Sequence, residues 1–349
     1  MNKTTILATL AIAVLCAGLA AMYYTPGPGA GSAAGALEGP QTGAEQNKKK
    51  KKGKNTLFGR KPGQPRPYRG DLPSVAEINV RDAILEKVYS GLDYPWAMEF
   101  ISAHELLITE FGGHLQRLDL HSGALTEIGG LPDMATGKGQ IGLNDVALHP
   151  DFPENNIIYL SHAVENPEKS GEYTTAVSRG VLAGNTLTDI VRIFTATPYA
   201  NSPSNFGGAL EFDNGGYLYI GTGDRSQDMR SQGPMQLNGK IIRLTDDGRV
   251  PPDNPFVGDP ATDDRIYALG VRNPQGLVFD ERSQKLYESE HGPMGGDEVN
   301  TIDPGVNYGW PVISYGANYN TQKKGIGTAR EGLRQPLFYY LPSIATLSL

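Results

Sequence analysis

The stretch Pro95–Leu120, PWAMEFISAHELLITEFGGHLQRLDL, contains two alternating apolar runs joined by a polar turn and followed by the glycine pair Gly112-Gly113. Alternation with a period of two is typical of a β-strand that buries one face, and glycine pairs are typical of the turns between strands. The stretch therefore predicts antiparallel strands connected by short turns.

The same two-strand phrase returns three times, starting at Leu143, Gly207 and Pro274, at spacings of 48, 64 and 67 residues from one start to the next. One four-stranded antiparallel sheet per repeat, with loops of uneven length, is typical of β-propeller blades. A β-sandwich also has alternating strands, but it does not repeat one phrase four times. The 44 glycines, 25 prolines and 17 tyrosines agree with a turn-rich protein. We predict an all-β fold, a β-propeller.

Residues 1–22 combine an early lysine with an apolar run from Ile6 to Met22 and small residues around Ala20. This pattern is typical of a signal peptide, so we expect an exported protein, periplasmic or extracellular. The run is also near the lower limit for a membrane span, so an uncleaved anchor in the inner membrane, with the propeller outside the cytoplasm, stays the alternative. The only cysteine, Cys16, lies in this segment, so the mature chain contains no disulfide bond.

Residues 23–72 are rich in glycine, alanine and proline and include the lysine run Lys48–Lys52. Such a segment buries too little apolar area to offset its ordering entropy, so we predict a disordered linker before a propeller domain of residues 73–349. Residues 1–72 have a net charge of +8, which leaves −15 for the domain. The basic run lacks interleaved aromatic residues, so we expect no nucleic-acid partner.

A propeller gathers the strand-end loops of its blades around a central axis, so a pocket draws on the corresponding loop of several repeats. Here the polar loop positions are Gln140, Ser204-Asn205, Asp224–Gln227, Arg272-Asn273 and His291–Glu298. Gly137–Gly142 satisfies GxGxxG, but alternation and prolines follow it, so it is not expected to begin a dinucleotide-binding helix.

The turn Glu290–Glu298, EHGPMGGDE, concentrates glycine, proline and carboxylates. Turns expose backbone carbonyl oxygens, and Asp297 and Glu298 add carboxylate oxygens. Oxygen ligands suit a hard cation such as calcium. The bare motif leaves open whether the turn binds an ion or serves only as a tight turn.

Several motifs in order resemble the glucose/sorbosone dehydrogenase family: GQIGLNDVALHPDF, LNGKIIRLTDDGRVPPDNPF, YALGVRNPQGLVFD, SEHGPMGGDEVN and NYGWPVISYG. The resemblance covers about residues 85–345. It implies a six-bladed propeller that uses pyrroloquinoline quinone (PQQ) and calcium to oxidise aldose sugars to lactones at the anomeric carbon. The sugar and the electron acceptor stay unknown.

By this resemblance, the main-chain oxygens of Gly292 and Pro293 would hold calcium, with Asp297 in the same turn. The remaining implied contacts are Gln140 with cofactor and sugar, Arg272 and Asn273 with the quinone, and Gln227 with the sugar. The chain departs from the family at Asn205, which stands where the family has a histidine base. An amide has no titratable lone pair, so slow turnover or none is expected.

The resemblance runs through Pro342–Ala345 and then stops, after four repeats and one further strand. We therefore expect an incomplete, C-terminally truncated propeller of about four to five blades. Two other functions stay open. One is a degenerate propeller that binds sugar or calcium without catalysis, and the other is a lactonase-type hydrolase.

Overall fold

The computed structural model describes residues 87–320 and 322–347. The predicted signal peptide or anchor, residues 1–22, and the predicted linker, residues 23–72, lie outside the described residues. Within those residues, no helix combines the length and apolar character needed to cross a bilayer.

Each repeat forms one four-stranded antiparallel sheet, which we call a blade. Blade 1 contains β1 (Pro95–Phe100), β2 (Glu105–Glu110), β3 (His114–Asp119) and β4 (Leu125–Ile128). Blade 2 contains β5 (Leu143–Leu148), β6 (Ile157–Glu165), β7 (Tyr173–Ala183) and β8 (Thr186–Thr195). Blade 3 contains β9 (Gly207–Phe212), β10 (Tyr217–Thr222), β11 (Lys240–Thr245) and β12 (Ile266–Leu269). Blade 4 contains β13 (Pro274–Asp280), β14 (Lys285–Glu290), β15 (Asp297–Ile302) and β16 (Phe338–Tyr340).

The predicted all-β propeller of about four to five blades is thus confirmed, with four blades in the described residues. The last strand, β16, pairs with β15 and completes blade 4 instead of beginning another sheet. The GxGxxG segment runs into strand β5 and not into a helix, as expected.

The core consists of apolar layers between successive blades. Leu107 of blade 1 packs with Leu160 of blade 2, Tyr159 of blade 2 with Leu218 of blade 3, and Ile241 of blade 3 with blade 4. Burying one such side chain contributes about 1.5–3 kcal/mol, so adjacent blades stabilise one another. The first strands of the blades, β1, β5, β9 and β13, pack in that order.

The first strand of each blade begins with an irregularity in its pairing, and in blade 3 this lies at Gly207-Gly208. Both glycines have positive φ, 66° and 111°. A Cβ on Gly208 would lie 2.9 Å from the Cβ of Asn144, so only glycine fits between blades 2 and 3. Such irregularities redirect the chain at a strand end. Here they bring the loop of Asn205 against blades 2 and 4.

Candidate functional site

The segment Asn205–Gly207 is the point where residues predicted from three blades meet. The side-chain oxygen of Gln140 accepts a hydrogen bond from the Phe206 N–H at 3.0 Å. The side-chain oxygen of Asn273 accepts one from the Gly207 N–H at 2.9 Å. Asn273 is buried, and Gln140 is partly exposed. The two amides therefore hold the segment from blade 2 and blade 4.

Asn205 sits in a left-handed backbone conformation, with φ of 57° and 9% of its surface exposed. Its Nδ2 donates to Asp224 Oδ1 at 2.8 Å. The other oxygen of Asp224 accepts the indole N–H of Trp310 at 2.8 Å. One fully buried carboxylate thus joins residue 205 to Trp310. Burial raises the pKa of Asp224, and the Arg272 charge opposes that rise.

Arg225 clamps the loop that carries Asn205. Its guanidinium is fully buried, lies 3.2 Å from the centroid of the Phe206 ring, and donates to the carbonyls of Ser202 and Ser204. Arg225 also has positive φ. Left-handed non-glycine residues store backbone strain that surrounding contacts must offset, and they concentrate at functional sites.

Arg272 binds the turn that is predicted to hold calcium. Its Nη1 donates to the carbonyl oxygens of His291 and Gly292, each at 2.7 Å. Its main-chain N–H donates to the carboxylate of Glu290. The guanidinium carbon lies 5.2 Å from the centroid of the Trp310 ring. Arg272 was predicted to contact the quinone, and it is bonded here to one of the oxygens predicted to contact the ion.

The turn itself is shaped by glycine. An added Cβ on Gly292 would overlap the carbonyl oxygens of Gly295 and Gly296. The N–H of Gly292 donates to Asp297 Oδ1 at 3.0 Å. The other oxygen of Asp297 accepts bonds from Ser343 Oγ at 2.6 Å and from the N–H groups of Ile344 and Ala345. Asp297 is fully buried, and both of its carboxylate oxygens accept hydrogen bonds that stabilise the turn. Its role as an ion ligand stays a prediction.

A small cavity opens beside this turn. The centre of a water molecule could occupy about 10 Å³ of it. It is lined by Arg272, Glu290, His291, Gly292, Pro293, Gly296, Glu298, Tyr308, Trp310, Ile313 and Ser314. Burial raises the pKa of Glu290 to about 7 and also raises that of Glu298, and repulsion from the Glu290 carboxylate raises the pKa of Glu298 further. Burial lowers the pKa of His291, which favours the neutral imidazole. A cation in this cavity would relieve the repulsion.

The residues around the cavity fit the two implied cofactors. The volume suits one ion, and the donors are carbonyl and carboxylate oxygens, the ligands that calcium prefers. Among the described residues no three His, Cys, Asp or Glu side chains form a metal cluster, so an ion here would depend on main-chain oxygens. Arg272 Nε and His291 Nε2 are buried without a partner in the described part of the chain. These polar atoms fit the oxygen-rich quinone.

Gln227 lies farther out, exposed at the start of the 3₁₀ helix Asp228–Gln232. Its N–H donates to the Asp224 carbonyl at 3.0 Å, and its side chain does not cap the 3₁₀ helix. Sequence reasoning missed the Asp224–Trp310 bond. The signals were the strand end Gly223-Asp224 and the phrase NYGWP around Trp310.

Known proteins resemble this chain in sequence and in fold. A profile of the glucose/sorbosone dehydrogenase family matches residues 92–349. The aldose sugar dehydrogenase YliI of Escherichia coli (strain K12) is 39% identical over 275 residues, which cover 77% of this chain and 72% of that protein.

Two solved structures share the fold and substantial sequence. The apo form of the soluble aldose sugar dehydrogenase (Asd) from Escherichia coli has a TM-score of 0.70 and 39% identity, and the match covers 74% of this chain and 75% of that one. The PQQ-bound aldose sugar dehydrogenase (Adh) from Streptomyces coelicolor has a TM-score of 0.61 and 30% identity, with 73% and 70% covered. The resemblance seen in the motifs is therefore confirmed, and the chain belongs to the glucose/sorbosone dehydrogenase family.

Proposed function

We propose that this protein oxidises aldose sugars to lactones at the anomeric carbon, with PQQ as the oxidant and calcium bound beside it. The observation that carries the proposal is the convergence on residues 205–207, where Gln140, Asp224 and Asn273 of three blades hold one short segment. Relatives with the same fold include an aldose sugar dehydrogenase solved with PQQ bound. Export to the periplasm or the extracellular space is part of the proposal and rests on residues 1–22.

The residues that would contact the quinone are Arg272, with its unpartnered Nε, Gln140 and Asn273. The carbonyl oxygens of Gly292 and Pro293 would hold calcium, and Arg272 would share the Gly292 oxygen or release it. When bound, the quinone supplies a two-electron acceptor and calcium supplies a Lewis acid. Arg272 and Trp310 line the cavity, and they would exclude water from that side of a bound quinone.

Asn205 would orient the anomeric hydroxyl. Its Nδ2 is committed to Asp224, so its side-chain oxygen is the group left to accept a hydrogen bond from the sugar. An amide oxygen does not take up the proton that leaves that hydroxyl. A placed general base contributes typically 10²–10⁴-fold, so we expect slow oxidation.

The same observation favours a second candidate function, a propeller that binds sugar or calcium without oxidising the sugar. Dye reduction, together with calorimetry, distinguishes the two functions. The purified protein is titrated with PQQ and calcium, and reduction of an artificial dye is followed with glucose and other aldoses. Slow, PQQ-dependent and calcium-dependent reduction supports the dehydrogenase. Calorimetric binding of calcium and sugar without any dye reduction supports the binding protein.

A further inference from the structure

A lobe of residues 311–320 and 322–327 follows Trp310 in the connection between β15 and β16. Met294, in the turn predicted to hold calcium, pairs with Ala317 through two main-chain hydrogen bonds of 3.0 and 3.2 Å. The Ser314 N–H donates to the Gly327 carbonyl at 3.0 Å, which closes the base of the lobe. One side of the lobe is thus fixed to blade 4.

The other side of the lobe reaches blade 3 through Lys324. Its ammonium bonds to the carboxylate of Asp228, the first residue of the 3₁₀ helix that follows the predicted sugar contact Gln227. The side chain of Lys324 is 14% exposed and that of Asp228 is 38% exposed. The pair therefore spans the gap between two blades near the surface.

The same ammonium lies 4.8 Å from the centroid of the Trp310 ring. A cation at this distance is attracted by the ring, so Lys324 is held by both Asp228 and Trp310. Trp310 itself lines the cavity and donates to Asp224, which bonds to Asn205. Lys324 thus covers the indole that joins the cavity to residue 205.

We propose that the Asp228–Lys324 ion pair is a clasp that closes the lobe over Trp310 and admits monosaccharides to the site in preference to larger sugars. The nature of the ligand rests on the proposed function. Partly exposed ion pairs are weak and are screened by salt, so the clasp can open and close. Lys324 is a positioning residue, because it acts through Trp310 and through the lobe.

Trp96 and Trp310 are the two tryptophans of the chain, so W96F leaves Trp310 as the sole indole fluorophore. Acrylamide quenching of the W96F protein is compared with that of W96F/K324M and W96F/D228N. The neighbouring exposed lysine offers a matched control, W96F/K323M, with the same net charge as the K324M protein. We expect the quenching constant to rise roughly twofold or more in the K324M and D228N proteins and to stay unchanged in the control.

Selection among sugars is measured in the same proteins by the concentrations of glucose and maltose that half-protect Trp310 from acrylamide. In the W96F protein, glucose should protect Trp310 at a lower concentration than maltose does. In the W96F/K324M protein, the two half-protecting concentrations should lie closer together. Equal quenching in all proteins would overturn the clasp. The clasp would have no role in sugar selection if the variants differ in quenching but no sugar protects Trp310. The same conclusion would follow if the preference for glucose over maltose is the same with and without Lys324. Absence of dye reduction bears on the proposed dehydrogenase alone, because no step of this assay requires turnover.

Discussion

Asp224 is the residue on which the site depends most, because its carboxylate accepts hydrogen bonds from Asn205, Ser226 and Trp310. It is fully buried, and its neighbours come from the loops of two blades. A carboxylate accepts all of these bonds at once, whereas an amide presents N–H groups to some of the same donors.

We predict that Asp224→Asn lowers the free energy of unfolding by about 1–3 kcal/mol, since at least one buried donor loses its partner. Urea denaturation measures the change. Asp151→Asn is the control, because the side chain of Asp151 is 79% exposed. Equal stability of the two variants would show that the bonds to Asp224 contribute little.

At the scale of elements, the turn between β14 and β15 supplies the proposed calcium site, and its shape depends on Gly292. A side chain there would overlap the carbonyl oxygens of Gly295 and Gly296. Overpacking in such a place typically costs about 1–3 kcal/mol and displaces the backbone. The displaced oxygens would no longer face one ion.

We therefore predict that Gly292→Ala abolishes calcium binding measured by calorimetry. Gly129→Ala is the matched control, because the nearest atom to its added Cβ is 4.0 Å away. Asp297→Ala should weaken binding as well, since it removes the acceptor of the Gly292 N–H. Calcium binding that persists unchanged in both variants would move the ion to another part of the molecule.

At the scale of the whole molecule, three carboxylates on the first strands of three blades couple stability to pH. Burial raises the pKa of Glu99 and Asp145 to about 7 and that of Glu211 to about 8, and the three groups repel one another when ionised. Their pKa values in an unfolded chain are about 4. The folded protein therefore keeps these protons over a range in which the unfolded chain has lost them.

For a pKa that is raised on folding, the stabilisation is complete below the unfolded value and is lost as pH rises through the folded value. We predict that Tm falls by several degrees between pH 5 and pH 8, and that Glu211→Gln flattens this dependence. Scanning calorimetry across this range measures the effect, with the exposed Glu154→Gln as control. An equally steep fall in the Glu211→Gln protein would assign the dependence to other groups.

Sequence patterns predicted the blades because alternation and turn residues are local signals, repeated four times. Four predicted site residues, Gln140, Asn205, Arg272 and Asn273, do lie around one segment or beside the cavity. The bond from Trp310 to Asp224 spans 86 residues, and that from Lys324 to Asp228 spans 96. Such partners are chosen by the packing of blades, which no local pattern encodes. The contact of Arg272 with the Gly292 oxygen lies within blade 4, and it was missed because it depends on the pairing of β13 with β14 across 20 residues.

In the proposed function the protein is a PQQ-dependent dehydrogenase in which Asn205 occupies the position of the proton acceptor. The most direct test is the rate of dye reduction by the parent protein and by Asn205→His, with PQQ, calcium and glucose. We predict a gain of roughly 10²-fold or more, because Asp224 can accept the Nδ1–H and leave Nε2 as the base. The gain should disappear as pH falls below the pKa of the imidazole. A parent protein that reduces the dye as fast as the variant would contradict the assignment of residue 205.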